Sequence, residues 1–441
     1  MSLARRALPA LPALALALAL ALAWLGPAWA EELDLTIPEA EKKDLELGGM
    51  LEMRYINHQL NRDSALYRLR YYNQTPGGYT EEWRPQLELK ADYQAGIAHL
   101  HLYTHHEYHE SYAENEWVNR VYEGYVSLKP SAGLTIEAGK KAFSWGKGYA
   151  WNPAGFVNRP KDPDDPELNL EGYTALGADF IKSFGDEGLQ TIAFTPLFLP
   201  VFNNENTELG QTGDLDRAAK LYLLYNDTDL DFMYYGGPNQ PDSFGMDFSK
   251  NLLENLELHG ELAYVKDARK QSVGADGGVN LERENQLSYL LGLRYLTQRD
   301  TTYILEYYHN GAGYDGGQVD GFFAFQELAW RQWQASGNPL AMQRAEMLTR
   351  SYYRMKNYGQ QYLYLKISQK EPWDILYFTP YVAFIVNLED LSFSLGPGLT
   401  YAPITNLELN LRAVAPIGGT GTEFGEKLDD LRSEVWARWY F

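Results

Sequence analysis

Residues 86–93 read Gln86-Leu87-Glu88-Leu89-Lys90-Ala91-Asp92-Tyr93. The apolar side chains fall on odd positions and the polar ones on even positions. A period of two places alternate side chains on opposite faces of an extended strand. The pattern recurs along the chain. Leu258 and Leu262 alternate with Glu257, His259 and Glu261. Leu363, Leu365 and Ile367 alternate with Tyr362, Tyr364, Lys366 and Ser368. Leu407, Leu409 and Leu411 alternate with Glu408, Asn410 and Arg412. From Leu47 onward the chain reads as about eighteen such segments, within a range of sixteen to eighteen.

Connection lengths alternate as well. After even-numbered segments the turns are short, as at Ala95-Gly96, Asn226-Asp227 and Gln298-Arg299-Asp300. The long connections, near 59–83, 141–171, 201–216, 267–283, 310–358 and 417–429, all follow odd-numbered segments. Two odd connections, near 237–241 and 387–389, are short. A barrel in a bacterial outer membrane has this asymmetry, with short turns on the periplasmic side and long loops outside. A soluble sandwich gives no reason for length to follow parity. The expected fold is all-β: a transmembrane antiparallel β-barrel over residues 47–441.

The ends of the chain agree. Arg5 and Arg6, an almost unbroken Leu/Ala run from Leu8 to Leu25, and Ala28-Trp29-Ala30 read as a signal peptide over residues 1–30, cleaved after Ala30. An uncleaved anchor helix is the rival reading; the small residues at 28 and 30 favour cleavage. Residues 31–46 carry seven acids and few apolar positions, which suits a periplasmic arm. Beyond it no apolar run reaches the roughly 20 residues a spanning helix needs. At the other end Val435, Ala437, Trp439 and Phe441 share one face. A last strand ending in an outward Phe resembles the assembly signal of outer-membrane proteins. That resemblance implies the outer-membrane assembly machinery and lipid as partners.

Composition excludes several classes. The chain of 441 residues has no cysteine, so disulfides, Cys-ligated zinc, iron–sulfur clusters and c-type haem are out. Its net charge of −21 argues against nucleic acid. A mean hydropathy of −0.41 excludes a polytopic helical membrane protein. No G-x-S-x-G, H-E-x-x-H or P-loop is present, so no enzyme is expected. His99, His101 and His105 share a strand face, but Tyr103 interrupts the row, and His106 and His109 lie just beyond. They read as polar lumen residues, with no metal or cofactor expected.

If the apolar face meets lipid, the polar face lines a lumen. Its candidate lining residues are Arg54, Glu88, Lys90, Asp92, His99, His101, Glu257, Glu261, Arg294, Glu306, Arg412 and Arg438. So many charges require water, because unpaired buried ions cost several kcal/mol each. Acidic positions slightly outnumber basic ones, which predicts a weak cation preference.

The stretch 139–167, GKKAFSWGKGYAWNPAGFVNRPKDPDDPE, is the most distinctive. Pro153, Pro160, Pro163 and Pro166 deny it regular sheet. In position it resembles the third loop of general porins, which folds inward. Loop 141–171 is therefore the expected constriction, with Lys147, Arg159, Lys161, Asp162, Asp164 and Asp165 as its charged candidates. Gly139, Trp145-Gly146, Gly148 and Asn152-Pro153 also resemble a segment of alginate-export-like and uncharacterised eighteen-strand outer-membrane porin families. The chain departs from an alginate exporter in one respect: a polyanion path calls for a lining of Arg and Lys. Phe322–Gln334 and Leu340–Lys356 read as a helical hairpin in an extracellular loop.

The expected function is a porin in the outer membrane, letting small polar solutes or ions diffuse through a wet, slightly acidic lumen. The alternative is a barrel sleeve housing a periplasmic partner such as a multihaem cytochrome.

Overall fold

A computed structural model describes residues 44–185 and 187–441. The expected leader, its cleavage site and the acidic arm up to residue 43 lie outside the described residues. Eighteen strands follow. They are β1 (Leu45–Leu60), β2 (Tyr79–Ala95), β3 (Ala98–Ser111), β4 (Asn115–Ser131), β5 (Leu134–Lys141) and β6 (Tyr173–Ser183). Next come β7 (Leu189–Pro200), β8 (Leu215–Tyr225), β9 (Thr228–Gly236), β10 (Ser243–Leu253), β11 (Leu256–Val273) and β12 (Val279–Leu296). The last are β13 (Thr301–His309), β14 (Gln361–Gln369), β15 (Phe378–Asn387), β16 (Phe393–Ile404), β17 (Leu407–Ile417) and β18 (Asp429–Tyr440). Each strand pairs antiparallel with the next, and β1 pairs with both β2 and β18. The sheet closes on itself, so no edge is left unpaired.

The side chains divide as the alternation requires. Glu52 and Arg54 on β1 are buried inside, while Leu51 and Met53 are exposed outside. Leu89, Leu100, Leu102, Phe194, Phe232, Leu291, Leu293 and Leu305 extend the outer apolar surface. Two aromatic girdles bound it. Tyr93, Tyr225, Tyr295 and Tyr303 lie near the short turns; Trp83, Trp117, Tyr234 and Tyr289 lie toward the long loops. An apolar belt between aromatic girdles is the surface of a membrane-spanning barrel. Among the described residues no helix is long and apolar enough to cross a membrane. The last strand faces as read: Glu434, Trp436 and Arg438 point inward. The Phe441 ring lies over Gly49, where an added Cβ would come within 2.5 Å of it.

Four boundaries differ from the expectation. β1 begins at Leu45, inside the expected arm. The expected long connection 267–283 shrinks to residues 274–278. A register shift between Val265 and Ala268 lets β11 and β12 continue as a projecting hairpin. The first long loop contains an unforeseen short helix, α1 (Ala65–Tyr71), capped by Ser64. The helical hairpin starts earlier and ends sooner. Asp315 and Gln318 form a capping box that opens α2 (Gly316–Ser336). Gly337 ends it with a φ of 67°, and α3 (Leu340–Tyr352) follows. The hairpin packs on α1 and the β11–β12 projection through Leu69, Val273, Phe322, Met342 and Leu348. It thus sits at the long-loop end of one wall.

Depth in the belt sets the cost of an outward charge. Leu291→Arg should destabilise the barrel in lipid by about 2–4 kcal/mol. The same change at Leu281, on the projecting hairpin, should cost well under half of that. Urea unfolding in bilayers checks both.

Candidate pore constriction

Residues 142–172, between β5 and β6, fold into the barrel. What draws them in is a pair of wall carboxylates. Glu261 on β11 accepts hydrogen bonds from the backbone N–H groups of Lys147 (2.6 Å), Gly148 (2.6 Å) and Ala154 (3.0 Å), and from the Asn152 amide (3.3 Å). Glu306 on β13 accepts from the N–H of Tyr149 and of Ala150 (2.9 Å), and sits 2.9 Å from His259 Nε2. Consecutive N–H groups converging on one oxygen form a concave anion seat. The tryptophan–glycine motif supplies it. Gly146 has a φ of 91°, and a Cβ there would meet Glu261 Oε1 at 2.7 Å. A Cβ on Gly148 would meet the Trp151 carbonyl at 2.0 Å. Both glycines are needed so that backbone and carboxylate can meet.

Around the seats the loop is held by packing. Trp145, Ala154 and Val157 pack on Leu197, Leu199 and Met233 of the wall. Trp151 stacks on Tyr308 at 5.1 Å between ring centroids. Lys147 reaches Asp231 at 3.2 Å. Asp231, Asp247 and Glu261 stand in register on β9, β10 and β11. Burial opposes the Lys147 charge, but Asp231 and Asp247 outweigh it and raise its pKa. Lys161 donates to the carbonyls of Gly148 (2.8 Å) and Tyr149 (3.0 Å), and burial lowers its pKa despite Glu306 and Glu261 nearby.

The second half of the loop crosses to the opposite wall. Asp165 pairs with Arg412 at 3.1 Å, and the Asp164 carbonyl accepts from Arg412 at 3.0 Å. The Asp164 carboxylate lies 3.5 Å from Arg432. Glu167 lies 3.3 Å from Lys366 and accepts from the Tyr149 hydroxyl at 2.6 Å. Asp162 pairs with Lys356, just beyond α3. The wall side chains are themselves fixed. Glu434 holds Arg412 (2.9 Å) and Arg432 (2.8 Å). Glu52 holds Arg54 (2.9 Å) and Arg438 (2.6 Å). Trp436 lies beneath Arg54 at 4.6 Å and Arg412 at 5.4 Å.

Two cavities flank this crossing. The larger, about 620 Å³, opens toward the turn side and is lined by Arg54, Glu88, Lys90, Tyr149, Asp164, Asp165, Lys366, Arg412 and Arg438, among others. The smaller, about 240 Å³, lies toward the loops and is lined by Pro163, Asp164, Lys356, Lys427, Asp429 and Arg432, among others. Asp164 is common to both linings.

The structure therefore gathers Arg54, Asp164, Asp165, Arg412 and Arg438 into one region. Glu88 and Lys90 lie across the larger cavity, with Lys90 over the Tyr103 ring at 4.4 Å. Glu261 and Glu306 point inward but are covered by the loop, at 4% and 0% exposure. They hold the loop rather than line open space. Asp92 accepts from His99 (2.9 Å) and His101 (2.8 Å) near the turn end. Glu257 pairs with His259, and Arg294 stands opposite Glu257 on β12, away from the crossing. Arg159 turns to Glu208 at 2.5 Å. Arg432 and Lys366 belong to the inward polar face that the alternation gives, and Trp436 shares the inward parity of Arg438. Tyr149 reads in the sequence only as part of the loop's aromatic packing surface. Lys366 and Tyr149 meet only through the fold.

No family model matches the sequence, and no curated protein is similar to it. The structure is similar to that of Pseudomonas aeruginosa OccK11 (OpdR), with a TM-score of 0.50 at 12% identity, covering 90% of this chain and 96% of that one. The corresponding values for P. aeruginosa OpdQ are 0.49, 10%, 90% and 99%. For P. aeruginosa OccK5 (OpdH) they are 0.48, 12%, 90% and 98%. At such identity the likeness to OccK11 shows a shared fold.

Hydrogen bonds to a buried carboxylate stabilise by about 1.5–3 kcal/mol. Glu261→Ala should therefore speed amide exchange at Lys147, Gly148 and Ala154 by about ten- to a hundredfold. Tyr149 and Ala150, seated on Glu306, should respond less. Hydrogen-exchange mass spectrometry of the loop separates the two.

Proposed function

We propose that the protein is an outer-membrane porin through which small polar solutes or ions diffuse. One observation carries this reading: a closed barrel, apolar outside, keeps a polar cavity of about 620 Å³ beside a loop that crosses its lumen. No chemical step is involved, and no cofactor. The inward charges around the larger cavity are close to balanced: Arg54, Lys90, Lys366, Arg412 and Arg438 against Glu88, Asp164, Asp165, Glu167 and Glu408. The expected cation preference weakens accordingly, because Glu261 and Glu306 are engaged by the loop. The sleeve reading is disfavoured. A partner protein would need the cross-section that residues 142–172 occupy. Lipid surrounds the belt, and the strand ending in Phe441 is the part offered to the assembly machinery.

The test is single-channel recording of the mature protein, purified from the outer membrane of an expression host, in a planar bilayer with a salt gradient. We expect discrete conductance steps and a reversal potential close to zero. A folded, heat-modifiable barrel that conducts neither as the wild type nor with the carboxylates of its lumen loop neutralised would overturn the porin reading.

A further inference from the structure

The loop in the lumen has two unlike halves. Residues 145–157 are held by backbone hydrogen bonds to buried carboxylates, and Ala150 and Ala154 are fully buried. Residues 160–167 are held to the opposite wall by the Asp164, Asp165 and Glu167 ion pairs and by the Asp164 carbonyl, and are tied to the first half through Lys161 and Glu167. Asp164 and Asp165 each keep about a fifth of their side-chain surface exposed, as does Arg432, whereas Arg412 is nearly buried. Ion pairs in contact with water are weak and exchange readily, whereas buried charged hydrogen bonds do not. Pro160, Pro163 and Pro166 stiffen the second half, so it tends to move as a unit.

The position of this half matters. The two cavities lie on either side of it, and Asp164 lines both. On the wall, Arg412 borders the larger cavity and Arg432 the smaller. Glu434 holds both guanidinium groups from behind, so they stay in place if their loop partners leave.

We propose that the segment 160–167 is the gate of the channel, with Asp164 and Asp165 as its latch on Arg432 and Arg412. In the closed state the latch separates the two cavities. Opening moves the segment off the wall while residues 145–157 stay seated on Glu261 and Glu306. The two cavities then join, and a passing solute meets the guanidinium groups that the segment has vacated. The latch is also tied to the outside. Lys356 binds Asp162, and its carbonyl accepts from Lys427 at 2.6 Å, so the helical hairpin and the last long loop share the gate's anchor. This inference rests on the porin reading.

The experiment is single-channel recording on the mature protein with two sets of variants. Asp164→Asn with Asp165→Asn removes the latch charges and keeps the side-chain shapes. It should raise open occupancy about fivefold and move selectivity toward anions. Asp165→Cys with Arg412→Cys places the only two thiols in a chain that has none of its own. Bridging them with a short bis-methanethiosulfonate reagent should silence the channel, and reduction should restore it. Each single-cysteine variant treated alike is the control, and heat-modifiability on gels verifies folding. If the wild type conducts and neither the asparagine pair nor the bridge alters it, the gate is wrong and the porin reading stands. If the wild type is silent and the asparagine pair conducts, the gate is supported. If every folded variant is silent, the porin reading fails and the gate with it.

Discussion

Inside a hydrocarbon layer a backbone N–H has no partner except another backbone carbonyl. The rest of this structure follows from that. Strands satisfy one another only if the sheet has no edge, so β1 must pair with β18. Closure then divides every strand into two faces. One meets lipid and is rich in Leu, Phe and Tyr; the other meets the interior and carries the charge. A ring of eighteen strands is too wide for its own side chains to fill. Part of that interior is occupied by chain from the third long loop.

That loop enters because the wall offers what its backbone lacks. A segment broken by four prolines cannot form a ladder, so its N–H groups need other acceptors. Glu261 and Glu306 supply them from two neighbouring parts of the wall. Across the lumen the relation is reversed: the wall carries guanidinium groups and the loop carries carboxylates. The loop is thus donor on one side and acceptor on the other. A single segment can bridge walls of opposite character.

Much of this was legible in the residues. Alternation is local, so every segment read as a strand is one, and the inward face of the last strand was read correctly. The loop 141–171 stood out because proline, glycine and aromatic residues are concentrated there. The extension of β11 and β12 was missed because a register shift interrupts the period of two, so the alternation lapses where pairing does not. The helix α1 is only two turns long and leaves almost no periodic trace. The early start of α2 was written in Asp315 and Gln318, a capping signal outside the apolar pattern.

Charge was the harder matter. From the chain alone, Glu261 and Glu306 count as two more acids in a wet lumen. Their role depends on glycines more than a hundred residues away, which reach them only once β5, β11 and β13 take their places in the ring. Likewise Asp164 and Arg432 meet because β18 and the third loop share one cross-section. Period, turn length and terminal residues act between near neighbours in the chain, and these established the barrel, its sidedness and its inner face. Which inward charges touch water and which hold the loop depends on distances across the lumen. Those distances exist only when the ring has closed.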